Sequence, residues 1–169
     1  MTRYNRVFSI YMLFAAMLTV AACGVARDSS KTNNDSSRRT NIEQLINARD
    51  FRFNVQTATP TGGRVIQLTS QYDLRISRDT IQSDLPFFGR AFSAPVDPTR
   101  GGFRFTSTKF EYTVQPKRKG GWDILIRPQD AQDVRQLSLS VTSSGYGTLQ
   151  VTSNNRQGIS YYGTITQRK

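Results

Sequence analysis

Phe51-Arg52-Phe53-Asn54-Val55-Gln56 sets large apolar side chains against polar ones residue by residue. That period of two is what a strand with one buried and one wet face requires. The alternation returns down the chain. Ile66, Leu68, Tyr72, Leu74 and Ile76 share one parity, and Phe110, Tyr112 and Val114 repeat it. Trp122, Ile124 and Ile126 follow, then Leu137, Leu139 and Val141, then Leu149 and Val151, and last Ile159, Tyr161 and Ile165. The pattern predicts a meander of about eight short strands. Gly62-Gly63 and Gly120-Gly121 suit tight hairpins, because glycine accepts the positive φ such turns impose. Ser143-Ser144-Gly145 and Ser153-Asn154-Asn155-Arg156 are further turns. Between Phe105 and Phe110 the apolar parity flips, so a bulge or bend falls near Thr106 to Lys109. The fold class is mainly β: an antiparallel, lipocalin-like barrel or half-open clam, since consecutive strands with one apolar face must close or stack to resolve their edges.

Upstream of Phe51 the period is helical. Thr40-Asn41-Ile42-Glu43 has capping-box spacing, and Ile42, Leu45 and Ile46 share one face, predicting a short N-terminal helix from about Asn41 to Arg49. Residues 24–39 are rich in Ser, Asn, Asp, Lys and Arg and cannot bury enough surface to fold, so residues 23–39 read as a flexible tether. At the start of the chain, Arg3 and Arg6 precede an apolar run from Val7 to Ala22, which ends in Leu18-Thr19-Val20-Ala21-Ala22-Cys23. A charged head, a short apolar segment and small residues at a cut site make residues 1–22 a lipoprotein signal peptide. The run is shorter than the roughly 20 residues of a spanning helix. Cys23, the single cysteine, is the lipidation site, and residues 40–169 form a single domain. Gly24 stands where an aspartate would hold a lipoprotein of enteric bacteria in the inner membrane. The expected location is therefore the cell envelope, lipid-anchored at the outer membrane and facing the periplasm.

Composition excludes more than it suggests. With Cys23 acylated no thiol is left for a disulfide, a metal site or a nucleophile. The chain has no histidine, which removes the commonest general base and metal ligand. No enzyme, cofactor or metal is expected. The formal net charge is +11, mostly from arginine. Arg52, Arg75, Arg104 and Arg127 are scattered along predicted strands rather than bunched, and an exported chain rarely meets nucleic acid, so a solvated basic exterior fits best. Asp73 lies on the wet parity of its strand, and Asp79, Asp84, Asp130 and Asp133 fall at turns, which suits solvation or capping rather than acid-base work.

The longest interruption runs from Leu85 to Gly102 and puts Phe87, Phe88 and Phe92 among Pro86, Gly89 and Pro95. It is too broken for a strand and too apolar for water. Either it plugs a barrel end or it presents a sticky surface. Phe87 and Phe88 with Arg90, Tyr112, Trp122 and Tyr161 are the candidate ligand-binding residues, aromatic walls with a cation at the mouth. The competing reading is that the same rings fill the barrel, since eight strands enclose little more than their own side chains.

Asp73-Leu74-Arg75-Ile76, Leu85-Pro86-Phe87-Phe88-Gly89-Arg90-Ala91, Phe110-Glu111-Tyr112 with Gly121-Trp122, Gly145-Tyr146-Gly147-Thr148-Leu149 and Ile159-Ser160-Tyr161-Tyr162-Gly163 together resemble the domain-of-unknown-function 4251 family of Bacteroidetes lipoproteins. The resemblance covers roughly Asn41 to Ile165. It implies a lipocalin-like antiparallel barrel, and it implies no reaction and no catalytic residue.

The expected function is a membrane-anchored, non-enzymatic envelope lipoprotein binding an amphiphilic or lipid-like ligand beneath the Phe87 loop. The alternative is an envelope interaction protein that docks another envelope component through its basic surface and aromatic loop. Both need the anchor. Cys23→Ser is expected to abolish fatty-acid incorporation and shift the protein from the membrane to the soluble fraction; an unlabelled wild-type chain in the cytosol would contradict the assignment.

Overall fold

Among the described residues one helix, α1 (Ser29–Ala48), precedes nine strands: β1 (Phe51–Pro60), β2 (Ile66–Ile76), β3 (Ile81–Leu85), β4 (Phe103–Ser107), β5 (Phe110–Pro116), β6 (Trp122–Pro128), β7 (Val134–Val141), β8 (Tyr146–Ser153) and β9 (Ile159–Gln167). The computed structural model describes residues 29–92 and 101–168. The stretch expected as signal peptide, Cys23 and the first part of the expected tether lie outside the described residues. Asn33–Lys169 is one compact unit; of the other, Met1–Thr32, only the start of α1 is described.

The strands form one sheet in the order β4-β3-β2-β1-β9-β8-β7-β6-β5, and each neighbouring pair is antiparallel. Alternating direction across nine strands makes the first and last parallel, and those two, β4 and β5, are joined only by Thr108 and Lys109. They are halves of one bent strand: β4 pairs with β3, and β5 pairs with β6. The bend turns the open sheet into a nearly closed barrel; counted as one strand, its halves bring the number to eight, of which β3 is not among the stretches marked by the period of two. Barrel closure demands such a stagger, because strands tilted to the axis cannot meet in flush register.

One carboxylate fixes the bend. Asp130, after β6, accepts hydrogen bonds from the Ser107 hydroxyl, the Thr108 amide at 2.9 Å and the Lys109 amide at 3.2 Å. The Gln129 amide donates to the Lys109 carbonyl at 2.7 Å. Backbone amides that lose their ladder partners at the bend are thereby satisfied. A second irregularity lies in β1, whose register shifts between Val55 and Thr57 against both β2 and β9. There β9 comes so close that a Cβ on Gly163 would stand 2.0 Å from the Asn54 carbonyl oxygen.

Alternate residues fill the interior as the period of two requires. On β6, Trp122, Ile124 and Ile126 point inward while Asp123 and Arg127 stay wet. Phe51, Phe53, Leu74, Leu137 and Leu149 are fully buried in the same core. Each such side chain contributes about 1.5–3 kcal/mol by leaving water. Ile42 and Ile46 carry α1 onto this core, and Ile42 sits against Gly145 of the β7–β8 turn.

The helix is longer than its sequence signal. It begins at Ser29 rather than near Asn41, so it occupies part of the stretch expected as tether. Thr40 is an interior residue whose hydroxyl donates to the Ser36 carbonyl at 3.0 Å, so the expected capping box is not used. The end is close to expectation. Arg49 adopts φ 53°, its amide donates to the Ile46 carbonyl at 3.1 Å, and the Asp50 amide donates to the Leu45 carbonyl at 3.2 Å. That is a Schellman closure with arginine in place of the usual glycine.

The hydrogen bonds on Asp130, the Ser107 hydroxyl first and the Thr108 amide next, hold its pKa down to about 2. Its unfolded value is near 3.9. A depressed carboxylate stabilises the fold fully above its unfolded pKa and loses that contribution as pH falls through its folded pKa. The wild type is therefore expected to be more stable than Asp130→Asn at neutral pH, with the gap in urea midpoint closing between about pH 4 and 2. A gap that stays constant over that window would contradict this role.

Candidate functional site

The six candidate residues separate into two groups at different parts of the barrel. Phe87 packs edge-on to Phe103, with ring centroids 5.4 Å apart. Tyr161, 1 % exposed, donates its hydroxyl to the Pro86 carbonyl at 2.5 Å. Phe88 is half-buried against the core. The loop that carries them is laced to the β8–β9 turn by the Gln157 amide donating to the Arg90 carbonyl at 3.0 Å and the Phe92 amide donating to the Asn155 carbonyl at 2.7 Å. The Arg90 side chain is exposed. Of the two readings of this loop, Pro86 to Phe88 pack as a plug, whereas Phe92 stands 68 % exposed.

Another arginine does what the sequence suggested for Arg90. The Arg156 guanidinium lies 5.2 Å from both the Phe87 and Phe103 rings. Its Nε pairs with Asp133 at 2.8 Å, and Nη1 donates to the Gly101 carbonyl at 3.1 Å. Asp133 in turn accepts from the Ser153 hydroxyl at 2.9 Å, which itself accepts the Asn155 and Arg156 amides. A fork of donors sandwiched by rings is a task for arginine and not for lysine. Nothing local in Ser153-Asn154-Asn155-Arg156 marks this role, since the partners arrive from distant strands.

The second group is Tyr112 and Trp122, of which Tyr112 touches the end of the helix. Tyr112 on β5 donates its hydroxyl to the Ile46 carbonyl at 3.3 Å, and the Arg49 guanidinium lies 4.8 Å from its ring. Trp122 starts β6 and faces the core, 5 % exposed. Burial raises the Tyr112 and Tyr161 pKa values far above the ordinary tyrosine range, with Arg49 and Arg156 respectively opposing the shift. Both phenols thus stay protonated hydrogen-bond donors and supply no phenolate base.

The outer face carries the remaining features. All four scattered strand arginines have carboxylate partners: Arg52 and Arg75 on Asp73 at 3.3 and 3.1 Å, Arg104 on Asp84 at 2.7 Å and Arg127 on Glu111 at 3.7 Å. A depression of about 490 Å³ over β2, β3 and β4 is lined largely by these paired charges. Such exposed pairs are each worth about 0–1 kcal/mol and leave little net charge to attract a ligand.

A different groove, of about 380 Å³, crosses the outside of β5 to β9. Its wall residues include Gln115 of β5, Leu125 of β6, Ser138 of β7, Thr148 and Gln150 of β8 and Ser160 of β9. Asp123 and Ser140 close one side, and both are held by Lys117, whose Nζ lies 2.8 Å from Asp123. Beside it Tyr146 and Tyr162 stack nearly parallel, centroids 6.0 Å apart, and both are exposed, at 45 % and 43 %. Tyr162 pairs directly across the ladder with Thr148, so the stack adjoins the groove wall. The sequence signal for this site is an aromatic on the wet parity, Tyr162 next to inward Tyr161. Among the described residues no group of three His, Cys, Asp or Glu side chains is placed to hold a metal, and no helix is long and apolar enough to cross a membrane.

A family model described as "Domain of unknown function (DUF4251)" matches residues 33–165. No curated protein is significantly similar to the sequence. Among solved structures, the crystal structure of a DUF4251 family protein from Bacteroides eggerthii DSM 20697 superposes with a TM-score of 0.59 at 13 % identity, covering 80 % of this chain and 91 % of that one. That likeness establishes the common fold.

The plug yields a stability test. Arg156→Ala strands Asp133 and uncovers two rings, and is expected to cost about 3 kcal/mol in urea unfolding. Arg156→Lys recovers only part of that loss, and Arg90→Ala costs less than about 0.5 kcal/mol. Equal losses for Arg90→Ala and Arg156→Ala would contradict the assignment of the plug to Arg156.

Proposed function

The chain belongs to the DUF4251 family, and from that premise we propose that it is a lipid-anchored envelope protein that binds a component of its surroundings on the outer face of its barrel, without catalysis. The observation that carries this reading is the groove over β5 to β9, bordered by two exposed stacked tyrosines, on a barrel whose inward side chains are committed to the core. A site of about 380 Å³ falls in the range of small-ligand sites, roughly 300–1,000 Å³.

The anchor and address rest on the signal peptide and Cys23. The lack of catalysis rests on residue types: no histidine, one cysteine assigned to the lipid, and two buried tyrosines kept neutral. An interior amphiphile beneath the Phe87 loop is less well supported, because that loop is packed on Phe103 and roofed by Arg156.

Site-specific photocross-linking in intact cells tests the reading. A photoreactive residue at Gln150 is expected to give adducts with an envelope component, while one at Phe87 gives only links within the chain. Adducts from Phe87 with none from Gln150 would return the ligand to the loop and overturn the outer-face reading.

A further inference from the structure

We propose that the outer-face groove binds a neutral carbohydrate chain, an inference that rests on the outer-face reading above and names its ligand class. Three observations converge on hydroxyl-rich, uncharged chemistry.

The first is charge. In a chain of net charge +11, the groove's one ionisable lining residue is Asp123, and Lys117 neutralises it at 2.8 Å. An anionic headgroup or phosphate would meet no unpaired cation there, whereas arginine forks are the usual means of holding such groups.

The second is the supply of free hydrogen-bonding groups. Among the described residues, the side chains of Thr113, Gln115, Thr148, Gln150 and Ser160 make no hydrogen bond within the protein. They are hydroxyls and amides, each able both to donate and to accept, spread over three strands, β5, β8 and β9, of one sheet. A sugar hydroxyl likewise donates and accepts, so a row of such side chains matches a row of hydroxyls without charge on either partner. Strands β6 to β9 are paired on both sides in the ladder, so the floor of the groove offers no edge for an added peptide strand.

The third is the Tyr146–Tyr162 stack. A pyranose ring is amphipathic: hydroxyls project from its rim, and its faces carry C–H groups. Exposed tyrosine rings offer such a face a flat apolar partner at low entropic cost, since only two side-chain torsions are fixed. Tyr162 places that surface beside Thr148, and Leu125 adds an apolar patch within the groove. An aromatic platform adjoining a groove of neutral donors and acceptors is a surface for a polymer that alternates apolar faces with hydroxyl edges.

The test is affinity electrophoresis of the full-length, detergent-solubilised protein through gels containing a soluble β-glucan, an α-glucan, a mannan, a xylan or polygalacturonate. At least one of the four neutral polymers is expected to retard the wild type, and raising salt to about 0.5 M leaves that retardation intact. Tyr162→Ala lowers the affinity by about tenfold or more, Tyr162→Phe retains it, and Thr148→Trp blocks the groove. Both positions are exposed, and thermal melts verify that each variant keeps the fold. Retardation by polygalacturonate alone, retardation lost in salt, or binding unaffected by Tyr162→Ala and Thr148→Trp would each overturn the proposal. So would no retardation by any neutral polymer. In that last case, photoadducts from Gln150 would keep the outer-face reading with another ligand, and their absence would remove both.

Discussion

The barrel depends on a single bend. A sheet of this order ends in β4 and β5, and it closes only if the chain passes from one edge to the other within Thr108 and Lys109. Such a bend breaks the ladder and frees backbone amides, which water or a side chain must then satisfy. Asp130 meets that demand at the Thr108 and Lys109 amides and at Ser107, a fully buried hydroxyl. Once the edges are joined, the inward residues of the strands pack together into one core.

What caps the barrel follows from the same geometry. On one side α1 lays Ile42 and Ile46 on the core, with Tyr112 bound to the last turn of the helix. Elsewhere the Phe87 loop is drawn onto Phe103 and Tyr161 and held under Arg156. The aromatic residues that resemble a ligand cage in the sequence are thus used in closing the molecule. The outer face carries the two depressions, and they differ in kind. One is a field of paired arginines and aspartates, and the other is nearly charge-free, hydroxyl-lined and bordered by stacked rings.

The sequence carried most of this architecture because its information is local. A period of two marks most of the strands though not β3, glycine pairs mark the hairpins after Thr61 and Lys119, and the parity flip before Phe110 marks the bend. The start of α1 was not legible. The capping spacing at Thr40 is a local preference, and nothing from Ser29 to Arg39 is a proline or glycine that would stop the helix from running through it. Arg156 was equally hidden, since its importance lies in meeting Asp133, Gly101 and two phenylalanines from other parts of the chain. The outer groove escaped for a further reason. Ser, Thr and Gln on the wet side of a strand look like ordinary solvated residues until the register sets them beside Tyr162.

A domain whose inward side chains pack into one core is suited to recognition at its surface, and that proposal rests on the barrel being closed to ligands. Trp122 reports on this directly, as the only tryptophan in the chain and a ring buried inside the barrel. Titration of the protein with a brominated fatty acid, followed by Trp122 fluorescence, is the decisive measurement. Emission that stays constant as the fatty acid is added is the expected result; saturable quenching would mean that the interior admits an amphiphile and would contradict the account.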